Sequence, residues 1–203
     1  MLVLVSCVLA VLSPLVAWRW SAGLLLHRWK WPWLVWVALL VQSVVLNVTL
    51  PGVFAPVMHV LTYVAALGFA WMNRHAAGVW IVATGAFANG VTIALNGGTL
   101  PASAAAAQAA GITQGTEFAN SAVLDHPVLP WLGDIFAWPA PLPLANTFSV
   151  GDVLIVLGVW VAAWSGTRRF GAGRAPTVER DLPEGTAPKV WYPEPLRSEA
   201  DRP

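Results

Sequence analysis

Five stretches of this sequence, residues 2–18, 33–50, 54–72, 78–97 and 150–164, are long and apolar and hold between them one formally charged side chain, Asp152. Helices made of such residues have no water-facing side, and this excludes an ordinary soluble fold. At 1.5 Å per residue the runs reach about 22–30 Å, the range from a thinned to an ordinary hydrocarbon layer. The balance of the chain agrees: 57% of residues are hydrophobic and 10% charged, where a soluble domain carries roughly a quarter charged. The expected fold is an all-α integral membrane protein, a five-transmembrane-helix bundle occupying residues 1–165. A long, partly helical outer loop, 98–149, links the fourth and fifth spans. Residues 166–203 are Pro-rich, carry charges of both signs, and read as an extended or disordered cytoplasmic tail.

Charge orients the bundle. All 11 Lys and Arg residues fall in the first loop (Arg19, Arg28, Lys30), the third loop (Arg74) or the tail. Five crossings put those three segments on one side, so the positive-inside rule predicts an outer N-terminus and a cytoplasmic C-terminus. Trp18, Trp20, Trp29, Trp31 and Trp33 crowd the same face, at the depth where indole rings favour the interface. The cations are too scattered for a nucleic-acid partner. The first span lacks the basic n-region and the small-residue cleavage site of a secretory signal, and reads as a retained helix with Pro14 as a kink. Cys7, the single cysteine, excludes an intrachain disulfide and a cysteine metal cluster, and reads as a small buried hydrophobe.

Within residues 78–101, Gly85, Asn89, Thr92 and Asn96 fall on one helical stripe. Amide side chains in hydrocarbon are costly without partners, so this stripe should face other helices or a polar cavity. The predicted topology puts Asn47, His59, Asn89, Asn96 and Asp152 in the outer half of the bundle, with Asp134 and His126 in a lid above. Asn47, His59, Asn89, Asn96, Asp134 and Asp152 are therefore the candidate ligand or polar-pocket residues. A hydrogen-bonded helix-packing network explains the same residues equally well. Local punctuation is also legible. Ser149-x-x-Asp152 matches a capping box, and Asn96-Gly97-Gly98 a helix end. Pro51-Gly52 is a breaker, and Gly133-Asp134 reads as a stop followed by a cap. Residues 101–110 read as a short helix with Pro101 in its first turn.

The ordered set Asn73-Arg74-His75, Asn89, Asn96-Gly97-Gly98 with Leu100-Pro101, Leu132-Gly133-Asp134-Ile135 and Ser149-Val150-Gly151-Asp152 resembles the bacterial membrane proteins catalogued as domain of unknown function 5317. The likeness covers about residues 1–165. This chain departs from the family pattern at Leu100, where Met is commoner, and in its Trp-rich first loop. The resemblance implies a multi-pass protein of the bacterial plasma membrane and brings no activity, cofactor or catalytic residue.

Function is constrained by what the motifs lack. There is no G-x-S-x-G, H-E-x-x-H or phosphate-binding Gly-Lys loop, and no catalytic or metal-ligating residue is assigned. Cofactors are unknown and none is favoured; haem at His59 would need a second imidazole at matching depth, and His27 and His75 belong to the opposite face. The reading favoured is a binding or accessory subunit whose outward-facing polar pocket takes a lipid-like small molecule or a partner membrane protein. The alternative is a membrane-embedded enzyme using His59, Asp134 and Asp152, with Ser149 as an imaginable nucleophile. A second alternative is an oligomeric transporter component, because one copy lacks an inverted repeat. The partners expected are the lipid bilayer and either another membrane protein or further copies of the chain.

Overall fold

The computed structural model describes residues 1–47, 53–112 and 121–171, the side chains of 46 and 47 excepted. The side chain of Asn47, the Pro51-Gly52 breaker and the tail beyond residue 171 lie outside the described residues. Met1–Phe170 packs as one compact unit and is mostly helical. Its helices are α1 (Leu2–Leu12), α2 (Ala22–Leu25), α3 (Trp33–Asn47), α4 (Phe54–Met72), α5 (Val79–Leu95), α6 (Ala104–Ala109) and α7 (Val150–Trp164). Short strands β1 (Arg19–Trp20), β2 (Leu100–Pro101), β3 (Ser121–Ala122), β4 (Phe136–Trp138), β5 (Asn146–Phe148) and β6 (Arg168–Arg169) tie the loops together.

Sequence sets the ends of α1, α5 and α7. Past α1 the chain tightens into a 3₁₀ turn, Ser13–Ala17, around Pro14, which has no N–H to continue the α ladder. Gly78 (φ 77°) precedes α5 in the left-handed region. The other end of α5 closes through Gly97 and Gly98, both at positive φ, with the Gly98 N–H on the Ile93 carbonyl at 2.8 Å. The Ser149 hydroxyl accepts from the Asp152 N–H and the Asp152 carboxylate from the Ser149 N–H, so α7 begins at a complete capping box. Among the described residues α4, at 19 residues, is the one helix long and apolar enough to cross a membrane; α1 with its extension, α3, α5 and α7 are shorter apolar helices.

Packed seams run in the order α3, α4, α5, α7, α1. The tightest joins α5 to α7, and glycine makes it so. A Cβ on Gly78 would strike the Gly158 carbonyl, one on Gly85 the Gly151 carbonyl, and one on Gly158 the Val82 side chain at 2.6 Å. Without those side chains the two backbones approach closely enough for polar groups to meet across the seam. The core is accordingly small and polar, with Asn89, Thr92, His59 and Ser149 all but fully buried beside Ala86, Ala163 and Ile93. The outside is the reverse: Leu9, Leu40, Val64, Phe87 and Leu157, from five different helices, are exposed.

The two ends of the bundle differ in charge. At one end β1 pairs antiparallel with β6, Arg19 opposite Arg169, and the Asn73 amide exchanges hydrogen bonds with the Lys30 backbone at 2.9 and 3.0 Å. The basic loops are thus bonded to one another. At the other end the described residues of the 98–149 segment pack against the end of α5 through β2 and the 3₁₀ turn Pro130–Leu132. The Asn96 side chain pairs with the Val128 backbone, donating to its carbonyl and accepting from its N–H at 2.8 Å each. Within that segment β2 and β3 are parallel and β4 and β5 antiparallel.

Three local expectations are corrected here. Pro101 lies in β2, and α6 starts later, after Ser103. Gly133 does end a short 3₁₀ turn, but Asp134 caps no helix: its N–H goes to the Pro101 carbonyl and its carbonyl accepts from the Ser103 N–H. Cys7 is only partly buried.

Candidate functional site

A cavity of about 760 Å³ lies inside the arc of helices. Its body is apolar, walled by residues such as Cys7, Ala38, Ala66, Val82, Ile155 and Val159 from α1, α3, α4, α5 and α7. One extreme reaches Leu24, Trp29 and Gly78 near the basic loops; the other reaches Ser121, Asp134, Asn146, Thr147 and Asp152. The last group forms a polar mouth. Both α1 and α3 line the cavity, yet no packed seam joins them among the described residues.

Asp134 is held in the mouth by backbone bonds to Pro101 and Ser103 and is 4% exposed. Its Oδ2 accepts from the Thr147 hydroxyl at 3.1 Å. Its Oδ1 is buried without a hydrogen bond, as is the Ser121 hydroxyl oxygen. Burial pushes the Asp134 carboxyl up to about 6; the Ser121 hydroxyl beside it pulls it down, the Asp152 charge pushes it up, and Thr147 pulls it down.

Asp152 is differently placed, because both of its oxygens are engaged. Oδ1 accepts from the Asn89 amide nitrogen and Oδ2 from the Ser149 N–H, each at 2.9 Å. The Ser149 hydroxyl donates back to Asn89 Oδ1 at 2.9 Å, closing a ring between α5 and the first turn of α7. Gly151 makes room for it, since a Cβ there would overlap the Asn89 side chain. With its hydrogen given to Asn89 and its oxygen accepting from Asp152, Ser149 is occupied as a cap.

The structure therefore brings Asn89, Asp152 and Asp134 to one region and turns two other candidates to different work. His59, fully buried, has Nδ1 at 2.6 Å from the Gly98 carbonyl and stacks edge-on against Tyr63. A carbonyl can only accept, so Nδ1 carries the hydrogen, and α4 is pinned to the end of α5. Asn96 anchors the outer segment through Val128. His126 is exposed. Sequence reasoning passed over Ser121 and Thr147, in strands too short for a periodic signal, and Asn73, whose place in a recognisable triplet was the available clue. Among the described residues no three His, Cys, Asp or Glu side chains gather at metal-binding spacing.

The model of the family of unknown function DUF5317 matches residues 27–164, more than half of the chain. The chain belongs to that family. No curated protein and no solved structure matches it. The DUF5317 match takes in four of the five long helices, α3, α4, α5 and α7, together with the whole polar mouth; α1 and its face of the cavity lie before it.

Proposed function

We propose that this DUF5317 protein is a multi-pass protein of the bacterial plasma membrane that binds an amphiphilic small molecule, tail between the helices and head at the outer mouth. The observation that carries the reading is the cavity itself, apolar over the length of the helices and polar at one extreme. Such a lining matches a molecule with a hydrocarbon body and a hydrogen-bonding head.

The membrane setting draws support from the inversion of polarity, with amides and hydroxyls inside and leucine, valine and phenylalanine outside. In water that exterior would drive aggregation; in lipid it is the solvated face. The shorter helices suit a bilayer thinned around the protein. Arg19, Arg28, Lys30, Arg74, Arg168 and Arg169 at one end would face the cytoplasm, placing the mouth outside. The unsealed edge between α1 and α3 offers a path from the bilayer. An acid–base enzyme working through His59 has less support, because Nδ1 is committed to Gly98.

The test is gentle extraction into nanodiscs with native lipid, followed by mass spectrometry of what remains bound. One amphiphile near 1:1 in the wild type, and its loss from a folded Ala66→Trp variant, supports the reading. A lipid profile identical in both, matching the bulk membrane, removes it.

A further inference from the structure

We propose that the face of the β1–β6 ribbon carrying Arg19 and Arg169 binds the phosphate of an anionic membrane lipid. The inference rests on the membrane half of the reading above and is independent of the cavity.

Register brings the two arginines together. β1 and β6 pair antiparallel with Arg19 opposite Arg169 and Trp20 opposite Arg168, and the Phe170 N–H donates to the Trp18 carbonyl at 3.2 Å. A bond between the residues just outside a pair marks that pair as the non-hydrogen-bonded kind, whose Cα atoms stand about 4.5 Å apart with their side chains on one face. Arg168, one position along, belongs to the other face. Like charges directly opposite one another destabilise a strand pair. No carboxylate among the described residues relieves this one: Asp125 and Asp134 belong to the 98–149 segment, and Asp152 to the first turn of α7, whose far end leads into β6. An anion held between the two guanidinium groups turns the repulsion into two attractions.

Arg19 is set for that anion. Its Nε donates to the Thr167 hydroxyl at 2.7 Å and its Nη2 to the Thr167 carbonyl at 3.2 Å. These bonds fix the plane of the guanidinium and leave both N–H groups of Nη1 and one of Nη2, a fork that matches two phosphate oxygens. Arg169 is exposed and can close on the same phosphate from the partner strand. The surroundings select a lipid over a free ion. Trp18, 78% exposed, and Phe170, 55% exposed, flank the pair, and indole rings beside cations are the composition that settles in the headgroup layer.

The experiment holds the full chain in mixed micelles with a fluorescent phosphatidylglycerol. Three competitors are added: unlabelled phosphatidylglycerol, phosphatidylcholine of the same chains, and inorganic phosphate at constant ionic strength. Arg169→Ala removes one arm of the site, and Arg168→Ala removes an equal charge from the other face. The expected result is roughly tenfold better displacement by phosphatidylglycerol than by phosphatidylcholine and none by inorganic phosphate, the scale of one bidentate charged contact. Binding should weaken about fivefold or more in Arg169→Ala and less than about twofold in Arg168→Ala. Should Arg169→Ala not fold, Arg169→Lys takes its place, keeping the charge and losing the fork, with an expected loss of about threefold or more. Equal loss in the two variants, equal competition by the two lipids, or displacement by inorganic phosphate overturns the lipid site. Absence of binding overturns it too, the outcome if tail carboxylates such as Glu179 and Asp181 occupy the arginines instead. Recovery of the chain in soluble form without detergent removes the membrane reading itself.

Discussion

Asn89 in the middle of α5 and Asp152 in the first turn of α7 share a hydrogen bond of 2.9 Å, and both also bond Ser149. One amide thus reads a helix cap from a neighbouring helix. Asn89→Ala leaves Asp152 Oδ1 without its amide partner and the Ser149 hydroxyl without its acceptor. The expected loss is about 1–3 kcal/mol, the cost of buried groups left unmade. Reversible unfolding in mixed micelles checks it. Ser149→Ala should cost about 1 kcal/mol, as caps usually do.

Glycine substitutions should sort by what their Cβ meets. Gly85→Ala drives a methyl into the Gly151 carbonyl, and rigid backbone cannot yield cheaply. About 1–3 kcal/mol should be lost, the usual scale of overpacking. Gly68, where an added Cβ would meet nothing within 4 Å, is the control. Gly68→Ala should be neutral or gain up to about 1 kcal/mol of helix propensity. Thermal melts of both variants in one detergent test the contrast.

Asp134 makes stability depend on pH. Its carboxyl titrates at about 6 in the folded chain, against 3.8 for a free side chain. The folded state therefore holds the proton more tightly, and stability falls as pH rises from about 4 to 6, by roughly 2 kcal/mol over the window. Asp134→Asn should flatten that part of the profile and leave the protein at least as stable at pH 7.5. Unfolding followed from pH 4.5 to 7.5 in both proteins decides. A wild type that gains stability across this window, relative to Asp134→Asn, contradicts the assignment. Besides Asp134, the titratable groups lining the cavity are Asp152 on α7, Tyr63 on α4, Cys7 on α1 and the α-amino group of Met1.

Asn73 holds the first and third loops together through Lys30. Asn73→Ala should raise the labelling rate of a cysteine placed at Arg28 several-fold without altering ligand binding at the far end. Unchanged labelling would show that β1 and β6 suffice to fix that loop.

Legibility followed periodicity. The five helical stretches, the box at Ser149 and Asp152, and the stop at Asn96-Gly97-Gly98 each depend on neighbours a few residues apart, and all can be read from the chain. The stripe of Gly85, Asn89, Thr92 and Asn96 was legible as a face, but what each member touches was not. Gly85 meets Gly151, Asn89 meets Asp152, and Asn96 leaves the helices for Val128. The neighbours of Asp134 were hidden for a related reason: Ser121 in β3 and Thr147 in β5 belong to strands of two and three residues, too short to leave a period in the sequence. His59 looked like a ligand because imidazole in an apolar run is rare, and its Gly98 carbonyl lies 39 positions away.

A photoreactive probe locates the ligand most directly: a long-chain alcohol with a diazirine at the tail end, irradiated on the full chain in nanodiscs and mapped by peptide mass spectrometry. The account predicts adducts at cavity residues such as Ala66, Val82 and Ile155 that disappear under excess dodecanol. Adducts confined to outward residues such as Leu40, Val64 and Phe87, and indifferent to the competitor, would contradict it.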